Sequence, residues 1–262
     1  MKYFLLVLFL VLIPAALAAA PTIGTITVTD PINLNAGSTK TVTCEATVSD
    51  NDGWANITVV NATIWHSSSS EVSSDDNNDH YADASCDIGT NTSETDVPVT
   101  CTFTLQYHAK DGTWTCKIRA YDDSSSGSNE ITTTVNELVA LSIPATINFG
   151  TLNLGDTSTN ASEVEFSVEN KGNVQIDVQV SGNNMTCASG TIPIGNMRYG
   201  SADNTSYDLM TTLTTGAVPF DLNITKSTGS ASSATTYWRI QIPSSGVGGT
   251  CSNTIAFTAV SG

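Results

Sequence analysis

Residues 74–86, with the sequence SDDNNDHYADASC, combine several groups that can bind a cation. The window contains four carboxylates, two amides and one imidazole, and it ends in a cysteine. The spacing does not fit an EF-hand, because no glycine follows the third acidic position and no glutamate closes the loop. Residues 75–79 therefore have two interpretations, a cation site and a solvated acidic loop, and we expect the solvated loop.

The motif SDNDGW gives a second candidate for a metal site. If ATVSD and CKIRAYDD are strands of one sandwich whose following turns lie at the same end, Asp50 and Asp52 approach Asp122 and Asp123. Hard oxygen ligands that converge from two loops suit Ca²⁺, although Asp-Gly and Asp-Asp are also ordinary turn sequences. The sequence gives calcium bound by Asp50, Asp52 and Asp122 as a hypothesis, and no other cofactor is expected.

Catalytic chemistry has little support in the sequence. The chain has three histidines, His66, His80 and His108, and none lies in a nucleophile-elbow, zinc-binding or triad-like context. His66 and His108 each follow an aromatic residue at the end of a predicted strand, so we expect structural roles for them. The paired carboxylates of a glycosidase need a concave apolar cleft, which the sequence does not indicate. We predict that the protein is not an enzyme.

A period of two dominates the sequence and predicts the elements that position these residues. Apolar and polar residues alternate in TVTCEATV, PVTCTFTLQY, TWTCKIRAY, VEFSV, VQIDVQV and YWRIQIP. Turns rich in Gly, Asn, Asp and Ser separate these runs, and no segment has a convincing helical period. The pattern predicts an all-β sandwich fold.

Two domains fit the length and a weak internal repeat. INLNAGSTKTVTCEATVSDNDGW and LNLGDTSTNASEVEFSVENKGNV both read as a short strand, a Leu-x-x-Gly turn, an alternating strand and an Asn/Asp-Gly turn. We expect a first domain over residues 21–137 and a second over 138–262. The short apolar segment from Leu138 to Pro144 predicts a stiff joint between them.

The N-terminal sequence predicts secretion. MKYFLLVLFLVLIPAALAAA has one lysine, an apolar run and alanines at alternate positions, the pattern of a signal peptide over residues 1–20. The apolar run from Tyr3 to Ile13 is shorter than the roughly 20 residues that span a bilayer. We therefore expect a secreted or cell-surface protein whose mature chain has no transmembrane anchor. The formal net charge of −16 disfavours nucleic-acid binding.

The first domain resembles an immunoglobulin-like fold through its cysteines and tryptophans. The resemblance implies an inter-sheet disulfide between Cys44 and Cys116, a core tryptophan at Trp54, and an aromatic residue, Trp114, two positions before the second cysteine. The exported chain is also similar to tandem Ig-like surface proteins encoded by small-genome archaea, in which NDHY, GTWTC, NELVAL, TYWRI and GVGGTC recur in this order. That similarity implies no known activity.

All six cysteines lie in the predicted exported part, and an even number in an oxidising compartment indicates disulfides. Other connectivities are open, but the pairs Cys44–Cys116, Cys86–Cys101 and Cys187–Cys251 keep each bridge inside one predicted domain. Seven N-x-[ST] sequons predict glycosylation, at Asn56, Asn61, Asn91, Asn160, Asn184, Asn204 and Asn223.

Together these features predict a secreted, glycosylated structural or adhesive component of a cell surface or extracellular assembly. Its expected partners are other surface proteins, glycans or a second copy of the chain. The alternative is a carbohydrate-binding module in which Trp65, Tyr237 and Tyr81 stack on sugars. The segment APTIGTITVTD at residues 20–30 is expected to pair in its own domain, with donation to a neighbouring subunit as the alternative.

Overall fold

The computed structural model describes residues 19–159 and 163–262. Residues 1–18 of the predicted signal peptide and the sequon at Asn160 lie outside the described residues. The described part is built from β-strands and contains no α-helix, so the all-β fold class is confirmed. Its helical turns are three short 3₁₀ helices, at Trp54–Asn56, Ile194–Asn196 and Tyr207–Leu209. None of the described helices is long and apolar enough to cross a membrane.

Nine strands surround the first hydrophobic core. They are β1 (Thr22–Ile23), β2 (Thr27–Val28), β3 (Lys40–Ser49), β4 (Val59–His66), β5 (His80–Asp83), β6 (Asp87–Ile88), β7 (Asp96–Leu105), β8 (Gly112–Tyr121) and β9 (Ser126–Val135). One sheet has the order β1-β3-β7-β6, with β2 also paired to β3, and the other has the order β5-β4-β8-β9. The segment at residues 20–30 therefore pairs with β3 of its own chain, as expected.

The alternation in the sequence predicts which side chains fill this core. In β3, β7 and β8 every second residue is buried, since successive side chains of a strand point to opposite faces. A bridge between Cys44 on β3 and Cys116 on β8 joins the two sheets. Trp114 is fully buried beside it.

The prediction that Trp54 is the core tryptophan is wrong. Trp54 lies on a short 3₁₀ helix after β3 and is only partly buried against the core. The turn around Gly53, whose φ is 111°, carries the chain out of the sheet before Trp54 is reached. Trp114 takes the central place instead, and its indole N–H donates to the backbone oxygen of Lys110 at 2.8 Å.

Eleven strands surround the second core. They are β10 (Leu141–Ser142), β11 (Val164–Asn170), β12 (Ile176–Gly182), β13 (Met185–Ser189), β14 (Thr191–Ile192), β15 (Met197–Gly200), β16 (Thr211–Thr212), β17 (Val218–Ile224), β18 (Ser233–Ile240), β19 (Gly248–Ser252) and β20 (Ile255–Ser261). They form a five-stranded sheet, β10-β11-β18-β15-β16, and two three-stranded sheets, β17-β12-β20 and β14-β13-β19.

An aromatic cluster lies at the centre of the second core. The ring of Trp238, which is fully buried, lies 5.3 Å from the ring of Tyr199, 6.0 Å from that of Phe166 and 5.6 Å from that of Phe257, between centroids. Such distances are typical of favourable aromatic pairs. The cluster joins side chains of the five-stranded sheet to β20 of the opposite sheet.

The chain passes from one core to the other between Leu138, which packs on the first, and Leu141, which packs on the second. The expected domain division at residues 137 and 138 stays a prediction.

Candidate functional sites

The acidic loop of residues 74–79 is organised by its own carboxylates. Asp76 Oδ1 accepts hydrogen bonds from the backbone N–H groups of Asn78, Asp79 and His80, at 2.9, 2.9 and 3.1 Å. Burial raises the pKa of Asp76, but these donors outweigh it and hold the pKa below its usual value. The Asp76 carboxylate therefore serves as the acceptor that shapes the turn.

Further contacts attach this loop to both cores. The Tyr81 hydroxyl donates to Asn77 O at 2.6 Å and accepts from Gln106 N at 3.1 Å. Lys226, from the second core, donates through Nζ to Asn78 Oδ1 at 2.8 Å. The loop is therefore held by protein contacts, and part of it lies at the junction between the cores.

Glu71 precedes the acidic loop and anchors the adjoining segment to the outer face of β8. Its carboxylate pairs with Lys117 Nζ at 3.0 Å and with the Arg119 guanidinium. Burial raises the pKa of Glu71, but the two cations outweigh it and hold the pKa below its usual value. These basic groups of β8 are thus neutralised within the chain.

The expected calcium ligands serve separate local structures. Asp50 is buried, and its Oδ1 accepts Asp52 N at 2.8 Å. Asp52 Oδ2 accepts Ala19 N at 2.7 Å. The carboxylate of Asp122 accepts hydrogen bonds from Ser124 and Ser125 in its own turn.

Within residues 19–159 and 163–262, no group of three or more His, Cys, Asp or Glu side chains is placed to hold a metal ion. The geometry therefore does not gather Asp50, Asp52 and Asp122 into one site. Asp50 and Asp122 accept hydrogen bonds within their own turns, as is common for Asp, whereas Asp52 accepts one from the distant Ala19 N. Calcium binding stays a prediction without support from this arrangement.

The three histidines are buried structural residues. His66 is 8 %, His80 2 % and His108 5 % exposed. The His66 ring meets the Trp114 ring edge-on, with 5.8 Å between centroids. Desolvation lowers the pKa of His66, and the nearby Lys110 cation lowers it further. Desolvation also lowers the pKa of His108, and there the Lys226 cation adds to the effect.

The sequons lie mainly on the outside of the described chain. Five of them have exposed asparagines, Asn56, Asn91, Asn184, Asn204 and Asn223, and Asn61 is half-buried on the outer face of β4. On β4 and β17 the neighbouring residues at the alternate positions are buried. Alternation therefore places the asparagine of each sequon on these strands away from the core.

The expected sugar-stacking aromatics do not form a shared surface. The hypothesis that Tyr81 stacks on sugars is wrong, because Tyr81 is 3 % exposed and its hydroxyl is hydrogen-bonded inside the first core. Trp65 and Tyr237 are half-exposed, but they lie on β4 and β18, which belong to different cores.

An uncharged groove on the second core is the feature that the sequence did not reveal. It lies between residues 143–154, which form no strand after β10, and the segment that carries β19 and β20. Ile143, Ala145, Ile147 and Phe149 alternate with more polar residues, which is a strand signal. A period-two pattern shows that a segment is extended, but it does not show whether its edges are paired.

Comparisons with known proteins give loose structural matches. No family model and no curated protein matches the sequence. The C-terminal domain of the Streptococcus agalactiae AgI/II polypeptide BspA is 14 % identical, over 91 % of this chain and 95 % of that chain, with a TM-score of 0.23. A putative membrane-anchored protein from Corynebacterium diphtheriae is 13 % identical, over 91 % of this chain and 54 % of that chain, with a TM-score of 0.22.

At these TM-scores the whole-chain superpositions are poor. The architecture described above therefore depends on the strand pairing and the two cores of this chain. The similarity to tandem Ig-like archaeal surface proteins stays a prediction.

Proposed function

We propose that this chain is a secreted, glycosylated structural or adhesive component of a cell surface or extracellular assembly. The observation that carries the proposal is the pairing of all six cysteines. The bridges Cys44–Cys116, Cys86–Cys101 and Cys187–Cys251 leave no free cysteine. Disulfides persist in oxidising compartments and are rare in the reducing cytosol.

The placement of the bridges supports a mechanical role. Cys44–Cys116 connects the two sheets of the first sandwich, and Cys86–Cys101 connects the turn between β5 and β6 to β7. Cys187–Cys251 crosslinks the neighbouring strands β13 and β19 of the second core. Crosslinks of this kind constrain the unfolded chain and so favour persistence outside the cell.

The acidic, sequon-bearing surface supports the same proposal. Net negative charge and exposed Asn, Ser and Thr keep a protein soluble, and the exposed sequons give glycans room. A carbohydrate-binding role is the alternative. In that role the half-exposed side chains of Trp65 and Tyr237 would each stack on a sugar at a separate site.

Localisation of the native protein tests the proposal. Cell fractionation and surface imaging should find the chain outside the cytoplasm, with glycans that an N-glycosidase or mass spectrometry detects. A reduced, unglycosylated protein in the cytoplasm would overturn the proposal. Strong selective binding on a glycan array would favour the alternative.

A further inference from the structure

The two hydrophobic cores differ in how completely they are closed. In the first, 24 apolar residues are buried and 6 more are partly buried against them. Among the described residues of the second, 11 are buried and 15 are only partly buried. The partly buried group includes Ile143, Ile147 and Phe149 before β11 and Ile255 and Phe257 on β20. The described part of the second sandwich is therefore open between these two segments.

The open side is a continuous groove without charge. One part, of about 250 Å³, lies between residues 143–147 and Phe257. The adjoining part, of about 780 Å³, is lined by residues 147–154 and 247–251. The two parts share Ile147, Met185 and Cys251, and every side chain that lines either of them is uncharged. In a chain with a net charge of −16, such a groove favours an uncharged occupant.

Strand β20 borders this groove with an unpaired edge. Among the described residues it pairs only with β12, in a register without a bulge. Gly262 N donates to Gln175 O at 3.1 Å, and hydrogen-bonded residues alternate along an antiparallel strand. The backbone of Ala256 therefore faces β12, whereas the N–H and C=O groups of Phe257 and Ala259 point away from β12, towards the free edge.

The two other longest edge strands of the described sheets, β9 and β17, are protected against pairing. Strand β17 carries Pro219 and Asp221, which are common devices against edge pairing. Strand β9 is covered by the N-terminal segment, since Asn129 Nδ2 donates to the backbone oxygens of Ile23 and Gly24. Strands β6, β10 and β16 have two residues each. Strand β20, by contrast, has seven residues, no proline and no charged side chain.

We propose that a second copy of this chain covers the groove by antiparallel pairing of the two β20 strands. A two-fold axis through the pair makes the interface self-complementary, because each copy presents the same free edge to the other. Each copy then supplies what the groove lacks, namely an uncharged strand with free peptide groups. Ile255 and Phe257 of each copy face the shared core, and the two three-stranded sheets become one six-stranded sheet.

Charge gives this interface a distinctive salt dependence. The two copies are acidic and repel each other at a distance, whereas the contact itself contains no charge. Added salt screens the repulsion and leaves the strand pairing intact. The association therefore strengthens as the salt concentration rises, which is the opposite of what an interface built on ion pairs shows.

The inference rests on the proposed function, because it names a second copy as a partner in an extracellular assembly. The two ideas fail separately. A secreted protein that stays monomeric overturns the strand pairing alone, whereas a dimer found in the cytoplasm overturns the surface role alone.

The test compares two proline variants of the disulfide-bonded, glycosylated protein by analytical ultracentrifugation. Ala259→Pro removes an N–H on the free edge of β20, whereas Ala256→Pro removes an N–H that bonds β12. We expect a dimer for the unmodified protein and a folded monomer for Ala259→Pro. Ala256→Pro should lower the melting temperature much more, because it breaks a ladder hydrogen bond. A monomer at every concentration of the unmodified protein, or a dimer for Ala259→Pro, would overturn the proposal.

Amide hydrogen exchange on the unmodified protein provides a test that does not depend on the folding of a variant. Protection of the Phe257 and Ala259 amides should rise with protein concentration, while that of Thr258 and Val260 changes little. Protection that is independent of concentration, or that appears only when a different protein is added, would show that a second copy is not the occupant.

Discussion

Asn173 and Leu138 hold each other through two hydrogen bonds at the junction between the two cores. Asn173 N donates to Leu138 O at 3.0 Å, and Leu138 N donates to Asn173 Oδ1 at 2.7 Å. The amide Nδ2 of Asn173 donates to Ala109 O at 3.0 Å and to Asn136 O at 3.1 Å. Asn173 is fully buried, so one side chain satisfies three backbone groups from two segments of the chain.

The first prediction concerns this side chain. Asn173→Ala leaves the partly buried N–H of Leu138 and the buried oxygen of Ala109 without their partner. An unsatisfied buried polar group costs about 1–3 kcal/mol, so we expect the free energy of unfolding to fall by at least that amount. Urea denaturation followed by tryptophan fluorescence measures the loss.

Asn136→Ala is the matched control, because Asn136 is exposed and its side chain bonds only to Asn33 Oδ1 among the described residues. Its unfolding free energy should change by about 0.5 kcal/mol or less. Equal losses for Asn173→Ala and Asn136→Ala would contradict the role assigned to the junction.

The second prediction concerns the acidic loop. Asp76→Ala removes an acceptor of three backbone N–H groups, so it should destabilise the protein by about 1 kcal/mol, as the loss of a capping carboxylate does. Asp123→Ala is the control, because Asp123 is exposed and its carboxylate makes no hydrogen bond or ion pair within residues 19–159 and 163–262. The loss should be the same in EDTA and in calcium. A loss that appears only in calcium would show that a cation organises the loop.

The sequence predicted the strands of both cores because alternation is a local property. The runs at residues 42–48, 99–105 and 114–120 became the buried faces of β3, β7 and β8. The sequence did not predict which tryptophan is central, since that depends on where the chain leaves the sheet. Trp54 follows the turn at Gly53, whereas Trp114 stays within β8.

The groove could not be predicted for a similar reason. Edge pairing is a long-range relationship, and the sequence IAFTAVS reads equally well as a central strand. The local turn chemistry of Asp50 and Asp122, and the hydrogen bond from Ala19 N to Asp52, also compete with a shared site. Their carboxylates bond to nearby backbone groups, so proximity of two turns does not by itself gather ligands.

The third prediction keeps the calcium hypothesis testable. If Asp50, Asp52 and Asp122 bind calcium, EDTA should lower the melting temperature, and Asp52→Ala should abolish that effect. The arrangement found here instead leads us to expect the same melting temperature in EDTA and in calcium. Differential scanning calorimetry of the dialysed protein separates the two outcomes.

The fourth prediction concerns the pH dependence of stability. Burial, followed by the Lys226 cation, lowers the pKa of His108 in the folded protein. The unfolded chain takes up this proton near pH 6.5, whereas the folded chain resists it until a lower pH. The contribution of His108 to the free energy of unfolding is therefore fully present above about pH 6.5 and is lost as the pH falls below that value.

Melting temperatures between pH 8 and pH 5 measure this effect. His108→Gln should reduce the slope in that range, while His66, whose pKa is also lowered, accounts for part of the remainder. The lowered pKa values of Asp76 and Asp122 act in a separate window, below about pH 4. An unchanged slope in His108→Gln would exclude His108 as a source of the pH dependence.

The last prediction concerns the second core, whose bridge between Cys187 and Cys251 lies at the rim of the groove. Non-reducing peptide mapping should find this pair, together with Cys44–Cys116 and Cys86–Cys101. Replacing both Cys187 and Cys251 by Ala should cost about 2–5 kcal/mol of stability, the usual effect of removing a native disulfide. Because the bridge joins β13 to β19 alone, the loss should appear in the second core, while amide protection in β3, β7 and β8 persists. A mapped bridge between one of the first four cysteines and either Cys187 or Cys251 would contradict both the pairing and the two-domain division.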